Sequence, residues 1–281
     1  MTSFSNIEVR RCRPLLGTFV EIMASGLDEV ELGRAIEAGF AAIEATQKLM
    51  SAHDPSSELW RVNQEAFVRP VEVSKELFEV LRRGNELARE SAGGFDFTIA
   101  PLLARWGLLP SPLRRRRPGG WRDVDLQTSG RVRFTRPLAI DLGGIAKGYA
   151  VDKAVEQLRR DGVPSALVNA GGDMRAFGER FSTVHVRHPA QQRLLSRSIR
   201  IRDEALATSS PCFTETPFQG HTVSHLVNMP RGVAITGPIA VTVRACECWL
   251  ADALTKVVLS RPRLAESLLV KHHAEGFVFT A

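Results

Sequence analysis

One stretch constrains the chain more than any other: Ala139-Ile140-Asp141-Leu142-Gly143-Gly144-Ile145-Ala146-Lys147-Gly148-Tyr149-Ala150-Val151-Asp152, running on to Val168-Asn169-Ala170-Gly171-Gly172-Asp173. Leu138 to Leu142 is a short, mostly apolar run of the kind that forms a buried strand. Ala150 to Leu158 carries apolar residues at helical spacing, and Gly162 and Pro164 stop it. The stretch therefore predicts a strand, a glycine turn, a helix, and a second strand ending in a second glycine pair. Gly143 and Gly144 let the backbone turn sharply and approach a ligand with no Cβ in the way. A helix N-terminus behind such a turn offers unpaired N–H groups and a positive dipole to a phosphate. Lys147 adds a full charge. Asp141 is a carboxylate able to take a ribose hydroxyl, a base N–H or a metal-bound water. The same pattern also fits an ordinary strand-to-helix turn, and it matches neither G-x-G-x-x-G nor G-x-x-x-x-G-K-[ST].

A chain of 281 residues is long enough to bury about 75% of its unfolded surface. Part of its formal net charge of +6 comes from Arg114 to Arg117 in a Pro-flanked segment. No aromatic residues interleave with those arginines, which argues for a solvated loop over a nucleic-acid surface. A positive field would also steer an anionic ligand. Met1 to Arg13 shows no apolar signal-peptide core, and no apolar run reaches membrane-span length. On these grounds the chain reads as cytoplasmic, with no membrane span and no nucleic-acid partner. Four cysteines (12, 212, 246 and 248) do not make a disulfide framework. Cys246 and Cys248, two apart on an expected strand, read as a metal pair or as small core residues.

Elsewhere, Leu15 to Ile22 alternates as a first strand. Leu27 to Met50 predicts an amphipathic helix and Val71 to Ala92 another, with Ser74 as its N-cap. Leu109 to Gly120, rich in Pro, Gly and Arg, reads as an insertion or lobe junction. Val124 to Phe134 predicts a hairpin turning near Ser129-Gly130. Strands follow at 184–187 and 198–202, then a helix around 264–270 and an edge strand at 277–279. Asp96 lies between Phe95 and Phe97, and a carboxylate among apolar residues needs a polar partner.

Asp141 to Asp152, followed by Asn169-Ala170-Gly171-Gly172-Asp173, resembles the signature of the ApbE family, the FAD:protein FMN transferases. Further stretches agree in the family's order: Leu16-Gly17-Thr18, Met50 to Asn63, Gly94-Phe95-Asp96 with Trp106-Gly107, Ala207-Thr208-Ser209, His221 to Gly232, and Ala251 to Val258. The resemblance implies an α+β fold with mixed β-sheets and flanking helices. It implies one unit over 1–281, with a ligand groove between two interlocked lobes. FAD would be the substrate, and a flavoprotein with a target Thr or Ser the acceptor. By position, Leu16 and Val227 would contact the flavin, and His53 would stack where the family has Tyr. Gly94, Phe95 and Asp96 would line the adenosine side, with Asp141 and Lys147 at the nucleotide. Lys147 would neutralise phosphate charge, and His225 would accept the acceptor hydroxyl's proton.

The resemblance also implies Mg²⁺, held by the Gly144 carbonyl, an Asp and a Thr on the Ala251 to Val258 helix. Asp252 matches the Asp, but Lys256 falls on the Thr position and Thr255 comes one residue earlier. Positions three and four after Asp252 flank its helix face on opposite sides. The expectation is that Thr255 serves as the ligand while Lys256 points away. The alternatives are that Lys256 pairs with Asp252 and supplies the charge itself, or that the pair is a plain surface i,i+4 contact. Ser210 in place of Gly and Asn228 in place of Asp also leave open a homologue that binds or hydrolyses FAD without transfer to protein.

Overall fold

The computed structural model describes residues 7–117, 119–191 and 193–281. Seven strands form the main sheet, numbered here in chain order: β1 (Glu8–Leu15), β2 (Thr18–Ser25), β3 (Ser165–Ala170), β4 (Asp173–Phe177), β5 (Ala205–Ser209), β6 (Ile239–Ala245) and β7 (Glu275–Thr280). Each strand pairs antiparallel with the next, so the spatial order is the chain order. Seven helices among the described residues accompany it: α1 (Glu29–Met50), α2 (Glu58–Glu65), α3 (Lys75–Glu90), α4 (Ala100–Arg105), α5 (Ala146–Arg160), α6 (Cys248–Ser260) and α7 (Pro262–Lys271). This is the α+β architecture expected.

Period-two alternation divides the sheet residues between two layers. Val168, Ala170, Ala205, Ala207, Val241 and Val243 belong to the large core with α1, α5 and α6. The alternate residues Met174, Ala176 and Leu206 pack instead against Val186, Ile199 and Ile201. Those come from a hairpin of Ser182–Arg187 and Leu195–Ile201 that covers the opposite face. A small sheet of Val71–Glu72, Arg131–Phe134 and Val124–Gln127 lies beside α3.

Several expected elements shift. Leu15 to Ile22 is not one strand: Leu15 pairs with Thr18 across a two-residue turn at Leu16-Gly17. Both turn residues have positive φ, +56° and +71°, as the twist of a tight hairpin requires. The helix expected from Val71 begins at Lys75, because Val71 and Glu72 pair with Val132 and Arg131; Ser74 does cap it, accepting from the Leu77 N–H. Leu138 to Leu142 is buried but not a strand. Its polar backbone is met by a side chain: Asn63 accepts from the Ile140 N–H at 2.7 Å and donates to the Ile140 carbonyl at 2.9 Å. Cys246 and Cys248 share no strand, since β6 ends at Ala245; Cys246 is exposed and Cys248 opens α6, buried. Within the 109–120 stretch, a 3₁₀ turn at Ser111–Arg115 follows α4 and buries Leu113. The Arg116 guanidinium donates to the Gln64 carbonyl.

The α5–α6 crossing sets the positions of everything below. Helix α6 has no capping side chain of its own. Asp152 of α5 accepts from the Cys248 and Trp249 N–H groups, both at 2.9 Å, and so caps α6 from across the interface. Arg175 of β4 donates to the same carboxylate at 2.7 Å. A Cβ on Gly148 would stand 2.3 Å from the Cys248 carbonyl oxygen and 2.7 Å from the Trp249 Cα. Backbone cannot swing aside as a side-chain tip can, so Gly148→Ala must push the helices apart. The expected outcome is a loss of at least about 1–3 kcal/mol in urea unfolding, the range for overpacked cores. An unchanged midpoint would show that the helices slide freely.

Candidate functional site

A cavity of about 700 Å³ opens beside the α5–α6 crossing, within the usual range for small-molecule and cofactor sites. Its wall is assembled from segments far apart in the chain. Leu16, on the β1–β2 turn, and His53, in the loop after α1, stand on it. The Leu16 N–H donates to the Gln47 side chain at 2.5 Å, which ties this turn to α1. The segment holding His53 also caps α2, with Ser57 accepting from the Trp60 N–H. Gly94, Phe95 and Asp96 form a second wall, while Asp141, Gly144 and Lys147 line the cavity beside them. Buried Val227 and Ser210 complete the lining, with His225 exposed beside them. Ser260, in the last turn of α6, donates to the Gly94 carbonyl at 2.5 Å and fixes the Gly94 turn against that helix.

The polar partner that Asp96 needs is found within the protein. Its carboxylate accepts from the Thr98 N–H at 2.9 Å, from the Thr98 hydroxyl at 2.8 Å and from the Trp121 N–H at 3.2 Å. Burial nevertheless pushes it above the ordinary carboxylate range, the three hydrogen bonds only partly offsetting that. Asp141 is likewise raised by burial, against the Gly143 N–H, His225, His53 and Lys147. His225 is held below the ordinary histidine range by partial desolvation, with the Asp141 charge opposing. Its imidazole is therefore neutral at pH 7 and able to accept a proton.

At the inner end, two ammoniums and two carboxylates interlock. Lys147 pairs closely with Asp173, at the start of β4, and lies 4.0 Å from Asp252 on α6. Lys256, also on α6, pairs closely with the other Asp252 oxygen and donates to the Asp252 carbonyl at 3.0 Å. The Gly148 N–H donates to Asp252 at 3.3 Å. Burial alone would lower Lys147, but Asp173 and Asp252 outweigh it and hold the ammonium above the ordinary lysine range. Burial opposes the Asp252 charge too, yet Lys147 and Lys256 hold that carboxylate below its ordinary range. Asp173 is pushed the other way by burial and by Asp252.

This geometry corrects the expectation for the helix positions after Asp252. Lys256 does not point away; it takes the carboxylate. Thr255 is fully buried, with its hydroxyl bonded to Ser209 at 2.7 Å and to the Asp252 carbonyl at 2.6 Å. The residues present do not fit Mg²⁺. A divalent ion on Asp252, about 4.5 Å from the Lys256 ammonium, would be repelled by roughly 7 kcal/mol at an effective dielectric of about 20. Among the described residues, no three His, Cys, Asp or Glu side chains gather to share a metal ion.

Sequence reasoning missed two residues here. Asp173 closes the quoted motif and holds Lys147, while Asp152 caps α6; both stood in the right motif with no role assigned. Their signal is a carboxylate at the boundary of an apolar run, which must find a cationic or N–H partner. No helix among the described residues is long and apolar enough to cross a membrane.

The fold is shared with solved structures. The ApbE protein of Thermotoga maritima superposes with a TM-score of 0.86 at 24% identity, over 97% of this chain and 94% of that one. The flavinyl transferase ApbE of Pseudomonas stutzeri, in its apo form, gives 0.82 at 22% identity, over 100% and 93%. The family model described as the ApbE family matches residues 16–277, and the chain belongs to that family. Among its relatives, the FAD:protein FMN transferase of Vibrio cholerae is 28% identical over 229 residues, 75% of this chain and 69% of that protein. The FAD:protein FMN transferase of Klebsiella pneumoniae is 23% identical over 276 residues, 90% and 79%.

Proposed function

We propose that this chain is an FAD:protein FMN transferase. The observation that carries the reading is convergence: the segments around Leu16, His53, Gly94, Asp141, His225 and Lys256 meet on one cavity. The names of its relatives supply the reaction class. FAD lies in the cavity, its isoalloxazine against Leu16, His53 and Val227 and its adenosine toward Gly94, Phe95 and Asp96. A Thr or Ser hydroxyl of the acceptor flavoprotein attacks the FMN phosphorus. The new O–P bond forms as the diphosphate bridge breaks, and AMP leaves with the bridging oxygen. The hydroxyl proton passes to His225, whose imidazole is neutral and stands at the cavity rim. Lys147 meets negative charge on the diphosphate, and Asp141 orients the nucleotide through its free acceptor positions. Such transfers depend mainly on positioning and electrostatic stabilisation.

The test is calorimetric titration with FAD, then chromatography for AMP once an acceptor flavoprotein is added. Binding followed by acceptor-dependent AMP release is the expected result; no FAD binding contradicts the reading. For the adenosine wall, Asp96→Ala should cost the fold about 1.5–3 kcal/mol, the worth of hydrogen bonds to a charged group, and should weaken FAD binding as the wall loosens. The loss comes through the Thr98 and Trp121 backbone that Asp96 now holds. Unchanged FAD affinity in a folded variant would remove Asp96 from the site.

A further inference from the structure

Lys256 is placed where a fixed positive charge would serve a bound diphosphate. Its side chain, 16% exposed, and that of Lys147, 33% exposed, stand on the cavity wall, while Asp173 and Asp252 lie behind them at 3% and 0%. The site therefore presents N–H donors to its occupant and keeps the compensating carboxylates at its back. An ammonium has three donors. Lys256 gives two to Asp252, one to the carboxylate and one to the carbonyl, which leaves one for a ligand. The Lys256 Cε lies 3.5 Å from where a Cβ on Gly144 would stand, so its stem passes directly over the glycine turn. The Phe95 ring edge lies 3.4 Å from the same point, so the lysine stem and the ring both stand at van der Waals distance from the turn.

We propose that the Lys256 ammonium is the built-in cation of this site: with Lys147 it binds the diphosphate of FAD, and binding needs no divalent metal. The inference rests on the FAD reading above and concerns how this chain meets the phosphates. A tethered ammonium is always present and already paired with Asp252, so neither metal concentration nor chelation governs the site. The disagreement between this residue set and a Mg²⁺ site centres on position 256, because Thr there would remove the ammonium paired closely with Asp252 and leave only Lys147, 4.0 Å away.

Two measurements on the intact chain test it. Calorimetric titration with FAD should give the same Kd, within about twofold, in excess EDTA and in saturating Mg²⁺. Electron paramagnetic resonance of added Mn²⁺, with and without FAD, should show no tightly bound ion. Lys256→Thr should lose at least about tenfold in FAD affinity in EDTA, the worth of one charge-assisted hydrogen bond, and should gain a tight Mn²⁺ signal. If that variant does not fold, the two wild-type measurements decide alone. Wild-type FAD binding that disappears in EDTA, or one tight Mn²⁺ per wild-type chain, would overturn the proposal and leave the FAD reading standing. FAD binding by Lys256→Thr in EDTA as tight as wild type would also overturn it. No FAD binding in either buffer would overturn the FAD reading and the proposal with it.

Discussion

Lys147→Met is expected to lower the free energy of unfolding by about 3–5 kcal/mol, the cost of breaking a buried ion pair by removing one partner. Asp173 is 2% exposed and pairs with this ammonium. Asp252 keeps Lys256 but loses its second cation at 4.0 Å. The pH dependence gives the prediction its signature. In the wild type, Lys147 is raised above the ordinary lysine range, so its contribution is complete at and below neutral pH and is lost only as pH climbs through that raised value. Asp252 is depressed, so its contribution is present above the ordinary carboxylate range and is lost as pH falls through the lowered value. In the variant, Asp173 loses the ammonium bonded to it and keeps only the more distant Lys256 against its upward shift. The native state then binds more protons than the unfolded state, and stability falls as pH rises. Urea unfolding should therefore show a smaller deficit near pH 5 than near pH 7. A deficit below about 1 kcal/mol, or one flat with pH, would mean that water already solvates this pair.

His225→Ala is expected to cut turnover by about 10²–10⁴-fold, the usual worth of a general base, while FAD affinity stays within a few-fold of wild type. The imidazole is exposed at the cavity rim, faces Asp141 and is held in its neutral form. The rate in the wild type should rise with pH through the lowered histidine value and then level off. In the variant that limb should vanish. Single-turnover AMP release measured against pH checks both statements. Equal losses of binding and turnover, or an unchanged pH profile, would make His225 a structural residue.

How much of this was legible beforehand depends on what each signal measures. Periodicity found α1, α3 and α5 because a stripe of each is buried, and the α3 cap was legible because it is local: Ser74 accepts from the N–H three residues on. Leu138 to Leu142 misled because an apolar run reports burial, not pairing. Its long-range partners are the Asn63 side-chain amide, 77 residues before Ile140, and the Phe97 carbonyl, which accepts from the Asp141 N–H; no local pattern announces either. Leu15 to Ile22 misled for a related reason, since a turn with Leu at positive φ looks like continued alternation. The cavity residues were found because the motif segments hold them in family order. The fate of Lys256 was not, since positions 255 and 256 lie symmetrically about Asp252 on a helix. Only the depth of the sheet behind α6 decides that Thr255 meets Ser209 and Lys256 meets the cavity. Asp152 and Asp173 were quoted within the motif, but their partners come from α6 and α5, joined only in the fold.

The central claim is that this cavity moves FMN from FAD onto another protein. Incubating the purified chain with FAD and a candidate acceptor flavoprotein, then taking the acceptor's intact mass, tests it directly. The account predicts an acceptor heavier by one FMN less one water, mapped by fragmentation to a Thr or Ser and lost when that residue is replaced by Ala. AMP release with the acceptor's mass unchanged, across acceptors that a V. cholerae relative modifies in parallel, would contradict it.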